Sequence, residues 1–270
     1  MQKYNFIFIV LCYRNTDDLR NFFNSIVDVK GTFKVIVVNS YYDDFTLAEF
    51  QQIALEHSSD FLNVPNKGYS YGNNQGITFA NKKYKYDFLV IANPDIEFQK
   101  FEFQLVDGYQ NSLVGPQIKT KIGKNQNPYK PFKRWIIDGM EYYGIKYNAY
   151  LFWLFGIVIN KIMREAIVFF GNFRKRPIHV DSLHGSCMLV GAEAMKKLVK
   201  DENLYDENMF LFSEEDEVGY KAKKYDIPLF YMPNLKILHK EDGSTSLIGE
   251  KVSGYEKQSY IYCYEKWNRW

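Results

Sequence analysis

The chain has 270 residues, 46% hydrophobic and 24% charged. That is ordinary for a soluble folded protein and gives material for one large domain or a domain with a sizeable insertion. It excludes disorder and collagen-like repeats. With 34 Lys and Arg against 32 Asp and Glu, the net charge is only +2, which argues against a general nucleic-acid binder. Aromatics are the anomaly: 22 Tyr, 22 Phe and 4 Trp make up 18% of the chain. So many rings suit sugar stacking or an interfacial surface, or reflect codon usage in an A/T-rich genome. Cys12, Cys187 and Cys263 are odd in number and far apart. They predict neither a disulfide scaffold nor a zinc site, and they fit a reducing cytoplasm.

The first hundred residues alternate strand and helix signals. Phe6–Cys12 is a continuous apolar run, read as a buried parallel strand and not as a signal peptide. Thr16-Asp17-Asp18-Leu19 opens an amphipathic helix with Leu19, Phe22, Phe23 and Ile26 on one face. A second strand (Lys34–Val38), a helix (Phe45–His57), a short strand (Phe61–Val64), a helix (Gly72–Asn81) and a fourth strand (Asp87–Ala92) follow. This βαβαβαβ order predicts an α/β fold with an open, mostly parallel sheet flanked by helices. Residues 1–115 are thus expected to form a ligand-binding half, because such sheets bind ligands at the carboxyl ends of their strands.

Val114–Trp135 reads as an excursion or loop, and Ile136–Phe173 as a helical insertion closed by Arg174-Lys-Arg-Pro177. Together they make 116–178 a variable insertion. Its longest apolar stretch, Tyr150–Ile159, is too short to span a bilayer but suits a membrane interface. Residues 179–249 form the second half. In it, Val180–Val190 reads as a strand broken by Gly185, Ala192–Val199 and Glu214–Tyr225 as helices, and Leu229–Met232 and Leu235–His239 as short strands. Residues 250–270 are a polar-aromatic tail.

Four segments carry chemistry. Asn66-Lys67-Gly68 to Gly76 follows the third strand; its glycines fit neither a dinucleotide fingerprint nor a phosphate loop, yet they let backbone come close to a ligand. Asn73 and Asn74 cap the helix or hydrogen-bond a sugar or nucleotide. Asn93-Pro94-Asp95 ends the fourth strand, where Pro94 stops the ladder and presents Asp95 at the sheet edge. Asp95 caps a turn or holds a divalent cation carrying a diphosphate; oxygen ligands suit Mg²⁺ or Mn²⁺. Glu214-Glu215-Asp216-Glu217 is more acid than a helix N-terminus needs, and one member with a raised pKa would make a general base. His239 follows the last strand and is a candidate metal ligand; His184, before Gly185-Ser186-Cys187, is a candidate to line the cleft.

The ordered set of Cys12-Tyr-Arg-Asn15, Asn66–Gly76, Asn-Pro-Asp95, His184-Gly-Ser-Cys-Met188 and Phe210-Leu-Phe-Ser-Glu-Glu215 followed by His239 resembles the family 2 inverting glycosyltransferases of the GT-A fold. The likeness is to their rhamnosyltransferase-like branch and covers Phe6–Pro94 and Asp181–Ser246. It implies that Tyr13 and Arg14 touch the nucleotide, and that Asn39, Lys67, Gly68, Asn73, Asn74 and Asn93 lie on the donor side. It also implies that Asp95 and His239 bind Mn²⁺ or Mg²⁺, that His184, Gly185 and Ser186 line the acceptor side, and that Glu215 is the base with Glu214 its fallback. Two departures stand out. Asn39 replaces the usual Asp at the end of the second strand, with Asp43 or Asp44 as substitutes. Glu-Glu replaces the commoner Glu-Asp pair.

The activity implied is transfer of a sugar, rhamnose or another hexose, from a nucleotide-diphosphate donor to a saccharide or lipid-linked saccharide. The implied setting is bacterial surface-polysaccharide synthesis, in the cytoplasm or at the inner face of the cell membrane. The insertion then serves as a membrane, acceptor or dimer contact. The rivals are a nucleotidyltransferase, which lacks its Gly-rich basic loop here, and a catalytically inactive nucleotide-sugar or carbohydrate-binding protein, which the missing Asp at position 39 favours.

Overall fold

A computed structural model describes residues 2–132, 135–200, 202–241 and 250–268. The elements in chain order are β1 (Lys3–Cys12), α1 (Thr16–Ser25), β2 (Val29–Lys30), β3 (Phe33–Ser40), α2 (Asp44–Glu56), β4 (Asp60–Val64), α3 (Tyr69–Lys83) and β5 (Lys85–Ala92). They continue with β6 (Ile96–Glu102), β7 (Leu113–Thr120), α4 (Trp135–Lys146), α5 (Tyr150–Arg174), β8 (Ile178–His179), β9 (Cys187–Gly191), α6 (Ala192–Leu198), α7 (Glu214–Lys224), β10 (Leu229–His239) and α8 (Glu250–Trp267).

Strand β1 organises both faces of the sheet. Its side chains alternate: Phe6, Phe8, Val10 and Cys12 enter one core layer, Ile7 and Ile9 the other. The first layer is ring-rich. Phe8 packs against Phe22, Phe33, Phe98 and Phe101 at centroid distances of 6.2, 5.9, 5.4 and 5.9 Å, mostly edge to face as ring quadrupoles prefer. Much of the phenylalanine excess is therefore core material. On the other face Gly72 and Gly76 let α3 settle onto β1; a Cβ there would lie 2.4 Å from Leu11 and 2.6 Å from Ile9. The close approach that these two glycines allow is to the sheet.

The sheet order is β2-β6-β10-β7-β9-β5-β1-β3-β4, with β8 paired to β10. Strands β4, β3, β1 and β5 run parallel. Strand β9 is antiparallel to both β5 and β7, while β10 runs parallel to β7 and antiparallel to β6.

Five expectations need correction. The predicted excursion after Val114 contains an interior strand, β7. Gly115 and Pro116 hide it in the sequence, and Pro116 is tolerated because it pairs with Met232, where the β10 register slips. The same slip, at Pro233-Asn234, joins two predicted short strands into the single β10. Strand β6, which starts directly after Asp95, has no counterpart in the sequence reading. The predicted run Val180–Val190 is strand only from Cys187; the stretch before it is a turn. The C-terminal tail is a helix, α8, packed on α4 and α7. The stretch Ile136–Phe173, expected to be helical, forms most of α4 and α5. Among the described residues no helix is long and apolar enough to cross a membrane.

Candidate active site

The carboxyl ends of β1, β3 and β5 open onto a cleft of about 1070 Å³. Its far wall is built by the turn before β9, the start of α7, the end of β10 and α8. The Asn93-Pro94-Asp95 turn is pinned from two sides. Asn93 N donates to Ser186 O at 2.9 Å and Lys240 N to Asp95 O at 3.0 Å. These bonds tie the end of β5 to the turn before β9 and to the end of β10.

Asp95 and His239 are both buried, with Oδ1 and Nε2 3.2 Å apart. Gln126 decides the imidazole's orientation. Its Nε2 donates to Glu241 Oε1 at 2.7 Å, so its Oε1 is the atom that accepts from His239 Nδ1, also at 2.7 Å. With the proton on Nδ1, the Nε2 lone pair faces Asp95. Asp95 Oδ1 makes no hydrogen bond despite its burial. A lone pair facing a carboxylate oxygen repels it unless a proton or a cation stands between. The residues therefore fit a divalent cation. Among the described residues no group of three or more His, Cys, Asp and Glu side chains converges on a point. Two side chains suit an ion that completes its shell with diphosphate oxygens and water.

The acidic pair stands across the cleft. Phe212 and Ser213 precede it with φ of 72° and 68°, a left-handed conformation costly outside glycine. Arg14 and Glu241, also on the cleft, share it with φ of 65° and 58°. Strain gathered in this way at one cavity points to function. Glu215 Oε1 accepts from Gly185 N at 3.1 Å, and its backbone carbonyl accepts from Ser182 Oγ at 2.8 Å. Position 185 is glycine for a steric reason, since a Cβ there would lie 2.7 Å from Glu215 Oε1. Burial raises the Glu215 pKa and the charge of Asp216 adds to the rise; the Gly185 amide and the buried Lys130 ammonium oppose it. Burial, then the charge of Glu215, pushes Glu214 well above the carboxylate range.

Near the acids, Ser186 N donates to His184 Nδ1 at 3.2 Å, which leaves the ring proton on Nε2. Burial and the facing His239 lower the His184 pKa to about 3, so this ring is neutral at physiological pH. Gly68, at φ 101°, packs the start of α3 against the segment before α7. A Cβ there would meet Phe210 O at 2.3 Å, and Tyr69 N donates to the same oxygen at 2.8 Å. At the β1 end Arg14 lies 4.0 Å over the Tyr42 ring, and Tyr13 packs edge-on to Tyr42 at 5.7 Å.

Tyr13, Arg14, Gly68, Asn93, Asp95, His184, Gly185, Ser186, Glu214, Glu215 and His239 thus share one cleft. Four expected donor residues lie outside its lining. Asn39 is buried and donates to Asn63 Oδ1 at 2.9 Å across β3 and β4. Asn74 clamps the backbone of Tyr205, donating to its carbonyl at 2.9 Å and accepting from its amide at 3.2 Å. Asn73 donates to Tyr69 O at 3.1 Å, one turn back in α3. Lys67 lies over Tyr71, 5.1 Å from the ring centroid. The amide nitrogens of all three asparagines are spent on internal structure, while Asn39 Oδ1 and Asn73 Oδ1 are buried without a hydrogen bond. The proposed substitutes for position 39 are engaged as well: Asp43 caps α2 through Thr46 N at 2.8 Å, and Asp44 accepts from Tyr41 at 2.9 Å. The stretch from Asp242 to Ser246 lies outside the described residues. Sequence reasoning missed Gln126, Tyr129, Tyr255, Glu256 and Tyr260. Gln126 stands in a Lys/Asn-rich stretch with no pattern to mark it, and the last three lie on a helix read as a tail.

A mixed α/β sheet that curls around such a cleft, with helices on both faces, is the GT-A glycosyltransferase fold. The chain superposes on GalNAc-T7, crystallised with UDP, GalNAc and Mn²⁺, with a TM-score of 0.64 at 12% identity over 97% of its length. It superposes on S. aureus TarS with a TM-score of 0.55 at 14% identity over 87%. In sequence it is 22% identical, over 240 residues and 86% of its length, to the low-salt glycan biosynthesis hexosyltransferase Agl10 of Haloferax volcanii. It spans 66% of Agl10, 48% of the GalNAc-T7 chain and 36% of the TarS chain. No family model matches the sequence. The chain is glycosyltransferase-like in fold and in sequence.

Proposed function

We propose that this chain is an inverting, metal-dependent glycosyltransferase that moves a hexose from a nucleoside-diphosphate donor to a hydroxyl of a saccharide or lipid-linked saccharide. The observation that carries the reading is that Asp95 with His239 and Glu215 with Glu214 face one cleft. The hexosyltransferase relative and the UDP- and Mn²⁺-bound neighbour support it. The sequence likeness adds family 2 and its rhamnosyl branch, and a role in surface-polysaccharide assembly.

In this reading residues 1–115 hold the donor and 179–249 the acceptor. Tyr13, Arg14 and Tyr42 form an aromatic and cationic wall for the nucleotide, where rings stack on a base. Asp95 and His239 hold Mn²⁺ or Mg²⁺, which supplies charge neutralisation for the departing diphosphate. Glu215, fixed by the Gly185 amide, takes the proton of the acceptor hydroxyl as its oxygen attacks the anomeric carbon. Attack on the face opposite the leaving diphosphate inverts that carbon in one displacement. Burial, then the charge of Glu215, raises the Glu214 pKa, so the pair disfavours two adjacent carboxylates.

The test is nucleoside-diphosphate release from a panel of nucleotide sugars, with saccharide acceptors and Mn²⁺, and the product anomer read by NMR. One donor should give acceptor-dependent release with inverted product. Glu215→Gln should lower kcat by about 10²–10⁴-fold with little change in donor KM. Retained configuration, or full activity in Glu215→Gln, contradicts the reading.

A further inference from the structure

Helix α5 turns its apolar side outward. Its inner face is settled by contact: Gly156 lies against Glu141 and Gly144 of α4 against Trp153, while Gly171 meets Tyr231 of β10. The outer face carries Leu151, Phe155, Val158, Ile162, Ala166, Phe169 and Phe173, all exposed. Leu151, Ile162, Phe169 and Phe173 are 64–81% exposed. Among the described residues, thirteen of the twenty-one exposed large apolar or aromatic side chains lie between Ile136 and Phe173. The surplus is therefore local and needs a partner.

The spacing says which partner. The steps along the stripe are four, three, four, four, three and four residues, which read the same in both directions about Ile162. A second α5 laid antiparallel across a two-fold axis at Ile162 would therefore meet the first in register. Leu151 faces the partner's Phe173, Phe155 the partner's Phe169, Val158 the partner's Ala166, and Ile162 itself.

The two flanks obey the same symmetry. In an antiparallel two-fold pair each flank of a helix meets the same flank of its copy. At 100° per residue, Lys161 and Glu165 share one flank, and the pairing sets Lys161 beside the partner's Glu165, twice by symmetry. Both are exposed; Glu165 also accepts from Asn125 Nδ2 through Oε2 at 2.7 Å. On the other flank Phe152 meets the partner's Phe170, both exposed. A stripe about 33 Å long, with exposed side chains of ~100 Å² each, reaches the ~800 Å² per partner of a standard interface.

We infer that α5 is a homodimer interface: two copies of this chain pair through antiparallel α5 helices about a two-fold axis at Ile162. A lipid surface is the competing occupant. Arg174, Lys175 and Arg176 at one end would suit it, but a membrane requires neither the palindromic spacing nor the placing of Glu165 opposite Lys161. The inference is independent of the chemistry assigned to the cleft.

The test is light scattering and sedimentation of the full chain, with cysteine cross-linking to read the register. The three native cysteines are buried, so background is low. Wild type should be a dimer, and Ile162→Asp a monomer with unchanged circular dichroism. Ile162→Cys should cross-link to itself through a short bismaleimide. Leu151→Cys should not, because its two copies stand about 33 Å apart, yet it should cross-link when mixed with Phe173→Cys. Lys161→Glu should weaken the dimer about tenfold, and adding Glu165→Lys should restore it. A wild-type monomer at high micromolar concentration overturns the inference, with or without flotation on vesicles rich in phosphatidylglycerol. So does a dimer whose Ile162→Cys variant fails to cross-link.

Discussion

Glu214 and Glu215 are held at unequal cost. Glu215 is compensated by the Gly185 amide and by Lys130, while Glu214 Oε1 is buried without a hydrogen bond. A carboxyl whose folded pKa lies above its unfolded value favours the fold while it is protonated, and that contribution is lost as pH rises through the folded pKa. Wild type should therefore lose stability as pH rises above the ordinary glutamate value of 4.5. Glu214→Gln should flatten that slope and be the more stable variant at pH 8, as denaturant melts across pH will read. The raised Glu215 pKa also places the acid limb of kcat above the normal carboxylate range. Gly185→Ala tests position alone. The added methyl, 2.7 Å from Glu215 Oε1, must push the carboxylate aside, and kcat should fall on the order of 10²-fold with donor affinity kept. Position 185 stood out in the sequence only through its neighbours. Its reason, contact with a residue thirty positions on, is not local.

Elements differed in how much of them showed in the sequence. Strands β1, β3 and β5 are buried on both faces and read as unbroken apolar runs, so the parallel half was legible. Strand β7 was not, because Gly115 and Pro116 imitate a loop and only a register slip in β10 makes room for the proline. Helix α8 carries no clean apolar stripe in the sequence because polar and aromatic residues mix around it, and its anchors combine stacked rings, such as Tyr264 on Tyr142, with ion pairs. Lys266 reaches Asp206 at 2.6 Å and Glu217 at 2.8 Å, and Glu217 is fully buried. Lys266→Ala should destabilise by about 2 kcal/mol, below the figure for a fully buried pair because the lysine is 29% exposed. We place α8 on the acceptor side because it brings Tyr255, Glu256 and Tyr260 to the cleft wall that carries Glu214 and Glu215, and the same variant should therefore raise acceptor KM more than donor KM. A change confined to the donor would mean that α8 does not belong to the acceptor side.

At the scale of the molecule, one continuous sheet interleaves strands from the two ends of the chain, with β9 beside β5 and β10 beside β6, and a few further contacts close the cleft. Gly68 touches Phe210, Asn93 touches Ser186, and Asp95 touches both His239 and Lys240. The sequence pointed to most members of this set because they sit at strand ends, where an α/β sheet exposes side chains to a ligand. It misplaced Asn73 and Asn74 on the cleft because a buried asparagine that clamps backbone looks, in sequence, like one that faces a ligand. The proposed chemistry rests on Asp95 and His239 holding a metal that carries the donor diphosphate. The most direct measurement is thermal unfolding with a panel of nucleoside diphosphates, with and without Mn²⁺, on wild type and Asp95→Ala. Free ligand at 100 times its Kd stabilises by about 2.7 kcal/mol, a rise of several degrees for a chain of this size. A metal held by Asp95 and His239 predicts that rise for one nucleotide, only with Mn²⁺ and only in wild type. An equal rise without metal, or in Asp95→Ala, would contradict it.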